Sequence, residues 1–74
     1  MMDEILSLLI EVRPESDFAS SNDFIADGLL DSFDMVMLID ELEEKFDVKI
    51  DGTEIIPENF VSVDAIIQLI ESSR

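Results

Sequence analysis

The sequence contains no cysteine, histidine, tyrosine or tryptophan. Without cysteine there is no disulfide, no thiolate nucleophile and no thiolate metal ligand. Without histidine the chain lacks the commonest general base and metal ligand, so a Ser–His–Asp or Cys–His catalytic centre cannot be built from it. These absences predict a module that is not itself an enzyme.

Basic residues are also scarce. Four lysines and arginines stand against nineteen aspartates and glutamates, which gives a net charge of −15. Because 47% of the residues are hydrophobic, the composition is not typical of a disordered chain and predicts a folded core inside a negative field. Such a field repels nucleic acid and anionic lipid surfaces. We therefore expect no nucleic-acid binding and no membrane insertion, but protein partners with basic patches.

The length of 74 residues predicts one small domain, residues 1–74, with a limited core. No apolar run approaches the ~20 residues that span a bilayer. The acidic start, Met1-Met2-Asp3-Glu4, lacks the positive flank of a signal peptide. We expect a cytoplasmic monomer.

The first predicted helix runs from Asp3 to about Val12, where apolar residues recur at helical spacing. Pro14 disfavours helical geometry at the residue before it and ends the helix. A polar segment, residues 15–30, follows, and a loop of this length is usually functional or held by its own side chains. Asp27-Gly28 predicts a turn near its end. The side chains expected to hold the segment are apolar: Phe18, Phe24, Ile25, Leu29 and Leu30.

The second predicted helix, about Ser32–Phe46, has the clearest pattern, with Asp31 as its N-cap. Its predicted core face consists of Met35, Leu38, Ile39, Leu42 and Phe46. A third helix starts after the cap Ser62 and runs from Val63 to about Glu71. Its predicted inward residues are Val63, Ile66, Ile67 and Ile70. With one short helical turn around Pro57, the sequence predicts an all-α bundle of three main helices and one short helix.

Ser32, at the start of the second helix, is the first candidate functional residue. Serine is common at helix starts, so the local pattern alone indicates a structural role. The functional alternative is an exposed hydroxyl that another enzyme modifies, because the chain has no histidine base to activate it. A helix N-terminus also suits a phosphodiester, since free N–H groups and the helix dipole favour an anion.

The second candidate is a partner-binding face on the same helix. Phe33 and Met37 lie away from the core stripe and among acidic residues, an arrangement typical of the apolar centre of a protein contact. The alternatives are two scattered surface hydrophobes, or a Phe33 that folds back onto the loop. Acidic residues are expected to steer basic partners to this face: Asp31, Asp34, Asp40, Glu41 and Glu44.

A calcium loop is a weaker alternative. Aligning Gly28 with the invariant EF-hand glycine places Asp23, Asp27, Asp31 and Asp34 on ligand positions. Position three would then be Ile25, which offers no side-chain oxygen. The twelfth ligand would be an aspartate instead of the longer glutamate.

The run Asp31-Ser32-Phe33-Asp34-Met35-Val36, followed by Leu38, Leu42-Glu43-Glu44 and Phe46, resembles the Asp-Ser-Leu motif and second helix of acyl carrier proteins. The resemblance extends over nearly the whole chain and implies an acyl-carrier-like bundle. It implies that Ser32 carries a 4′-phosphopantetheine arm, added from coenzyme A by a phosphopantetheinyl transferase. The arm would hold acyl or aminoacyl groups as thioesters. The second helix would be recognised by the transferase, by an acyl or aminoacyl ligase and by downstream transferases with basic docking patches.

The motif departs from the family pattern at two positions. Phe33 replaces the usual leucine, and Met37 stands where fatty-acid carriers often have glutamate. The segment Gly28–Ser32 reads Gly-Leu-Leu-Asp-Ser, which resembles D-alanyl and specialised-pathway carriers more than fatty-acid carriers, which commonly read Gly-Ala-Asp-Ser. A D-alanyl, amino-acid or specialised carrier is therefore expected. The alternatives are a fatty-acid-synthesis carrier and an unmodified acidic protein-interaction module.

Overall fold

The computed structural model describes residues 2–74, and in that range it is all-α, with no strand. The three α-helices are α1 (Met2–Val12), α2 (Ser32–Phe46) and α3 (Val63–Ser72). Helix α1 packs against both α2 and α3. Three short 3-10 helices lie in the connections: Phe18–Ser20, Gly52–Glu54 and Pro57–Phe60. The predicted helical bundle is confirmed.

The predicted bounds of α2 are confirmed because local chemistry defines both ends. The carboxylate of Asp31 accepts the Asp34 N–H at the N-terminus. At the C-terminus, Asp47 takes a left-handed backbone conformation with φ 54°, and its N–H donates to Glu43. Lys45 in the last turn suits the helix dipole. Helix α2 is therefore well defined by its own sequence.

The core lies between the three helices. It includes four of the five predicted core residues of α2, while Phe46 is only partly buried. On α3, Ile67 is also only partly buried, and Leu69 is buried although the sequence analysis did not predict it. The 3-10 helix Pro57–Phe60 packs on α3, and its residue Asn59 lines one groove together with Leu69. The burial of Leu69 widens the buried sector of α3 beyond the predicted stripe.

The segment between α1 and α2 packs onto the core through its aromatic residues, as predicted. The rings of Phe18 and Phe24 meet edge to face with centroids 5.1 Å apart, and both side chains are buried. The Phe24 N–H donates to the Val61 carbonyl at 2.8 Å, which ties the segment to the approach to α3. Gly28 completes the predicted turn with φ 73°, a conformation that glycine adopts without strain. The long segment therefore delivers the chain to α2 in a defined position.

The connection between α2 and α3 differs from the single short helix that the sequence predicted. It contains two 3-10 helices separated by Ile55 and the extended Ile56. Pro57 occupies the first turn of the second one, where its missing N–H costs nothing. Asp51 begins the first one by accepting the Thr53 N–H at 2.8 Å. Among residues 2–74, no helix is long and apolar enough to cross a membrane.

Candidate functional site

Ser32 is the first residue of α2, and it is exposed. Within residues 2–74, its hydroxyl takes part in no hydrogen bond. The chain has eight serines, and in four others the side-chain oxygen is already engaged: Ser21, Ser62, Ser72 and Ser73. The cap of α2 is Asp31, so the structural role that the sequence allowed for Ser32 belongs to its neighbour. The Ser32 hydroxyl is thus accessible to an external enzyme.

The backbone around Ser32 is held by a reciprocal capping box. The Asp34 N–H donates to Asp31 Oδ1 at 2.9 Å, and the Asp31 N–H donates to Asp34 Oδ2 at 3.2 Å. The bond from the Asp34 N–H holds the pKa of Asp31 below its ordinary value. The residues on both sides of Ser32 are therefore fixed by side chains.

Asp34 does not lie on the exposed face to which the sequence analysis assigned it. Its exposed fraction is 6%, because its carboxylate folds back onto the Asp31 N–H and is covered by Arg13. Arg13 Nη1 donates to Asp34 Oδ2 at 2.5 Å, and Arg13 Nε donates to Glu15 at 2.6 Å. The bond to Glu15, followed by the bond to Asp34, raises the pKa of the Arg13 guanidinium. Sequence reasoning missed Arg13, although it is the only basic residue before Lys45.

The pKa of Asp31 leads to a testable pH dependence. Because the pKa is lowered in the folded chain, the charged cap contributes stability above its unfolded pKa, and the contribution is lost as pH falls through the folded pKa. Asp31→Asn keeps a good cap that does not titrate. We expect the melting temperature of the parent chain, relative to Asp31→Asn, to be constant above about pH 5 and to fall below about pH 4. A difference that stays constant from pH 7 to pH 3 would contradict this account of the cap.

The outer face of α2 carries the predicted apolar pair. Phe33 is 71% exposed and Met37 41% exposed, so the alternative in which Phe33 folds back onto the loop is wrong. Val36, one turn from Phe33, is also exposed and extends the patch, which the sequence analysis did not include. Three acidic residues of the predicted face surround it and are exposed: Asp40, Glu41 and Glu44.

A groove of about 230 Å³ runs beside this patch. Met37, Asp40 and Glu41 line it from α2, and Glu11 and Val12 line it from α1. The outer face of α2 therefore combines an apolar strip, a shallow groove and an acidic border.

The four aspartates of the alternative calcium loop have other partners. Asp23 accepts the N–H groups of Ile25 and Ala26, and Asp27 accepts the Ser21 hydroxyl. The remaining two form the capping box. In the part of the chain that the structure describes, no three acidic residues are grouped to hold a metal ion.

A family model described as the phosphopantetheine attachment site matches residues 3–70, nearly the whole chain. The chain belongs to this family. The resemblance to acyl carrier proteins is thereby confirmed. No curated protein and no solved structure compared with the chain gave a match.

Family membership establishes the general biochemistry of this carrier. It is a non-catalytic carrier protein that bears a 4′-phosphopantetheine prosthetic group. Carriers of this family interact with a phosphopantetheinyl transferase and with biosynthetic enzymes. The thiol that the sequence lacks is supplied by the prosthetic group, which makes a carrier without cysteine chemically reasonable.

Proposed function

We propose that Ser32 is the residue that carries the phosphopantetheine arm, and that the protein shuttles acyl or aminoacyl thioesters between partner enzymes. One observation supports this assignment above all: Ser32 presents an exposed hydroxyl, free of hydrogen bonds within residues 2–74, at the first position of a 15-residue helix. The phosphodiester would lie at the N-terminus of α2, where the helix dipole stabilises negative charge.

The attachment reaction forms one P–O bond and breaks another. The Ser32 Oγ attacks the phosphorus that bears the pantetheine group of coenzyme A, the pyrophosphate bond breaks, and adenosine 3′,5′-bisphosphate leaves. The hydroxyl proton passes to a base of the transferase, since this chain contains no histidine. The role of the carrier in this step is to present the hydroxyl in a defined position.

The attachment is tested by incubating the protein with coenzyme A and a broad-specificity phosphopantetheinyl transferase. We expect the intact mass to rise by one phosphopantetheine, with complete conversion. A protein that is folded by circular dichroism and gains no mass would contradict the carrier function and favour the unmodified interaction module.

The outer face of α2 is the surface on which we propose that the transferase, the ligase and downstream transferases dock. Phe33 and Met37 supply the apolar centre, and the exposed acidic residues supply charge: Asp31, Asp40, Glu41 and Glu44. Asp34 has a different role, since it is buried beneath Arg13. Basic patches on these enzymes would match the acidic border of the face.

Phe33→Asp is expected to raise the KM of the transferase for the carrier by roughly tenfold or more, since apolar anchors at the centre of a contact dominate its energy. Phe33→Leu, which restores the usual family residue, is expected to keep activity close to that of the parent. Ile10→Asp is the matched control, because Ile10 is a half-exposed apolar residue on α1. If Ile10→Asp and Phe33→Asp raise KM equally, the added negative charge causes the effect, and the outer face of α2 is not the docking surface.

The proposed cargo is an amino acid such as D-alanine, or the acyl group of a specialised pathway. Support comes from the Gly28–Ser32 sequence and from Phe33 and Met37, which differ from the fatty-acid pattern. The proposed location is the cytoplasm, where coenzyme A and ATP are available, and the proposed state is a monomer. Loading the modified protein with a D-alanine–carrier ligase, and separately with a fatty-acyl–carrier synthetase, distinguishes the two cargo classes by intact mass.

A further inference from the structure

Arg13 joins the end of α1 to the start of α2. Its N–H donates to the Leu9 carbonyl at 2.9 Å, so its backbone continues the last turn of α1. Its guanidinium reaches across 21 residues of sequence to the Asp34 carboxylate. The Arg13 side chain is 29% exposed and that of Asp34 only 8% exposed, so the pair is largely shielded from solvent.

The same carboxylate oxygen serves two partners. Asp34 Oδ2 accepts both Arg13 Nη1 and the Asp31 N–H, while Asp31 Oδ1 accepts the Asp34 N–H. A continuous set of hydrogen bonds therefore runs from α1 through Arg13 and Asp34 to Asp31. In the sequence, Ser32 lies between the two aspartates that this set joins, directly after Asp31 and two residues before Asp34.

We infer that Arg13 is a positioning residue for the modification of Ser32, holding Asp34 in the capping box so that the Ser32 hydroxyl is presented in one orientation. This inference rests on the proposed attachment at Ser32. Arg13 acts through Asp34 and contacts neither the hydroxyl nor the arm. Its effect is to join the start of α2 to α1, so that the first turn moves with the body of the bundle.

Electrostatics explain why a cation is needed at this position. Asp34 is a buried carboxylate in a chain of net charge −15, and a buried charge without a partner is strongly destabilising. Without the guanidinium, the Asp34 carboxylate could move out of the capping box and into solvent. The box would then lose the bond to the Asp31 N–H, and the first turn of α2 would open more often.

An arginine suits this position better than a lysine. The planar guanidinium binds Glu15 through Nε and Asp34 through Nη1 at the same time, with both distances below 2.7 Å. A lysine ammonium is a single point on a flexible stem and does not reproduce this fork. Arg13→Lys is therefore expected to rescue the function only in part.

The first test measures local order directly, by amide hydrogen exchange with NMR detection. Arg13→Gln is compared with Lys49→Gln, which removes the same charge at an exposed residue beyond α2. We expect the Asp34 amide to exchange about tenfold faster in Arg13→Gln and at the parent rate in Lys49→Gln. Asp34→Asn keeps an amide oxygen for the cap, so it reports on the loss of the ion pair alone. Adding Arg13→Gln to Asp34→Asn is expected to cause little further change.

The second test is the transferase reaction, measured where all variants are folded. If the Ser32 hydroxyl is held less firmly, the chemical step in the complex with the transferase becomes slower, which lowers kcat. Binding of the transferase depends instead on the outer face of α2. We therefore expect kcat to fall about tenfold in Arg13→Gln with KM nearly unchanged, intermediate values in Arg13→Lys and parent values in Lys49→Gln.

The outcomes separate the two proposals. If the parent chain is not modified, the attachment at Ser32 fails, and the positioning role fails with it. If the parent is modified and Arg13→Gln matches it in kcat and in Asp34 amide exchange, only the positioning role is wrong. If Arg13→Gln changes KM and not kcat, the positioning role is also wrong, because Arg13 would then act on the binding of the transferase.

Discussion

Ser32→Ala is expected to remain folded and to accept no phosphopantetheine under conditions that convert the parent chain completely. The substitution removes Ser32 Oγ, the atom proposed to form the P–O bond, and it leaves the N-cap of α2 intact because Asp31 supplies the cap. Alanine is also the best helix former, so α2 is not weakened. Intact mass after incubation with coenzyme A and the transferase measures the effect, which is the complete loss of the added group.

Ser7→Ala is the matched control for this result. Ser7 is an exposed serine on α1, and we expect its replacement to leave the mass gain unchanged. Circular dichroism of both variants shows whether the fold is retained. A mass gain in Ser32→Ala equal to that of the parent would contradict the assignment of the arm to Ser32.

Phe60→Ala is expected to cause a large loss of stability. Phe60 has an exposed fraction of 0% and belongs to the 3-10 helix that packs on α3. Truncating a buried phenylalanine costs about 3–5 kcal/mol, because the apolar contacts are lost and a cavity remains. A domain of this size is stable by only about 5–10 kcal/mol, so the melting temperature should fall by more than about 10 °C.

Phe33→Ala is the control, since it makes the same chemical change at a side chain that is 71% exposed. Its free energy of unfolding is expected to stay within about 0.5 kcal/mol of the parent value. In the transferase reaction we expect the opposite order of effects: Phe33→Ala raises KM, although it hardly changes the free energy of unfolding. Equal melting temperatures for the two variants would show that Phe60 is not part of the core.

The helices could be predicted closely because their signals are local. Asp31 and Ser62 cap α2 and α3 as expected, and the apolar spacing of α2 matched its observed bounds. The aromatic residues of the long segment were also predicted to pack on the core, since a segment of that length needs anchors. Leu69 was missed because it lies beside the predicted apolar stripe of α3, and the packing of the 3-10 helix Pro57–Phe60 on α3 joins parts of the chain that local spacing does not relate.

The site could be predicted only in part. Local physics gives Ser32 no more than a place at a helix start, and the family pattern around it was needed to suggest the arm. The exposure of Phe33 and Met37 followed from helical geometry, and the structure agrees. The role of Asp34 could not be predicted, because its partner Arg13 lies 21 residues away and the contact exists only after α1 and α2 pack.

The central claim is that the arm is attached at Ser32, and fragmentation of the intact modified protein in the mass spectrometer tests it most directly. Cleavage of the backbone on both sides of residue 32 gives fragments that either contain or lack the added mass. The account predicts that the mass first appears in fragments that include Ser32 and is absent from those that end at Asp31. An added group on any of the other seven serines would contradict the account.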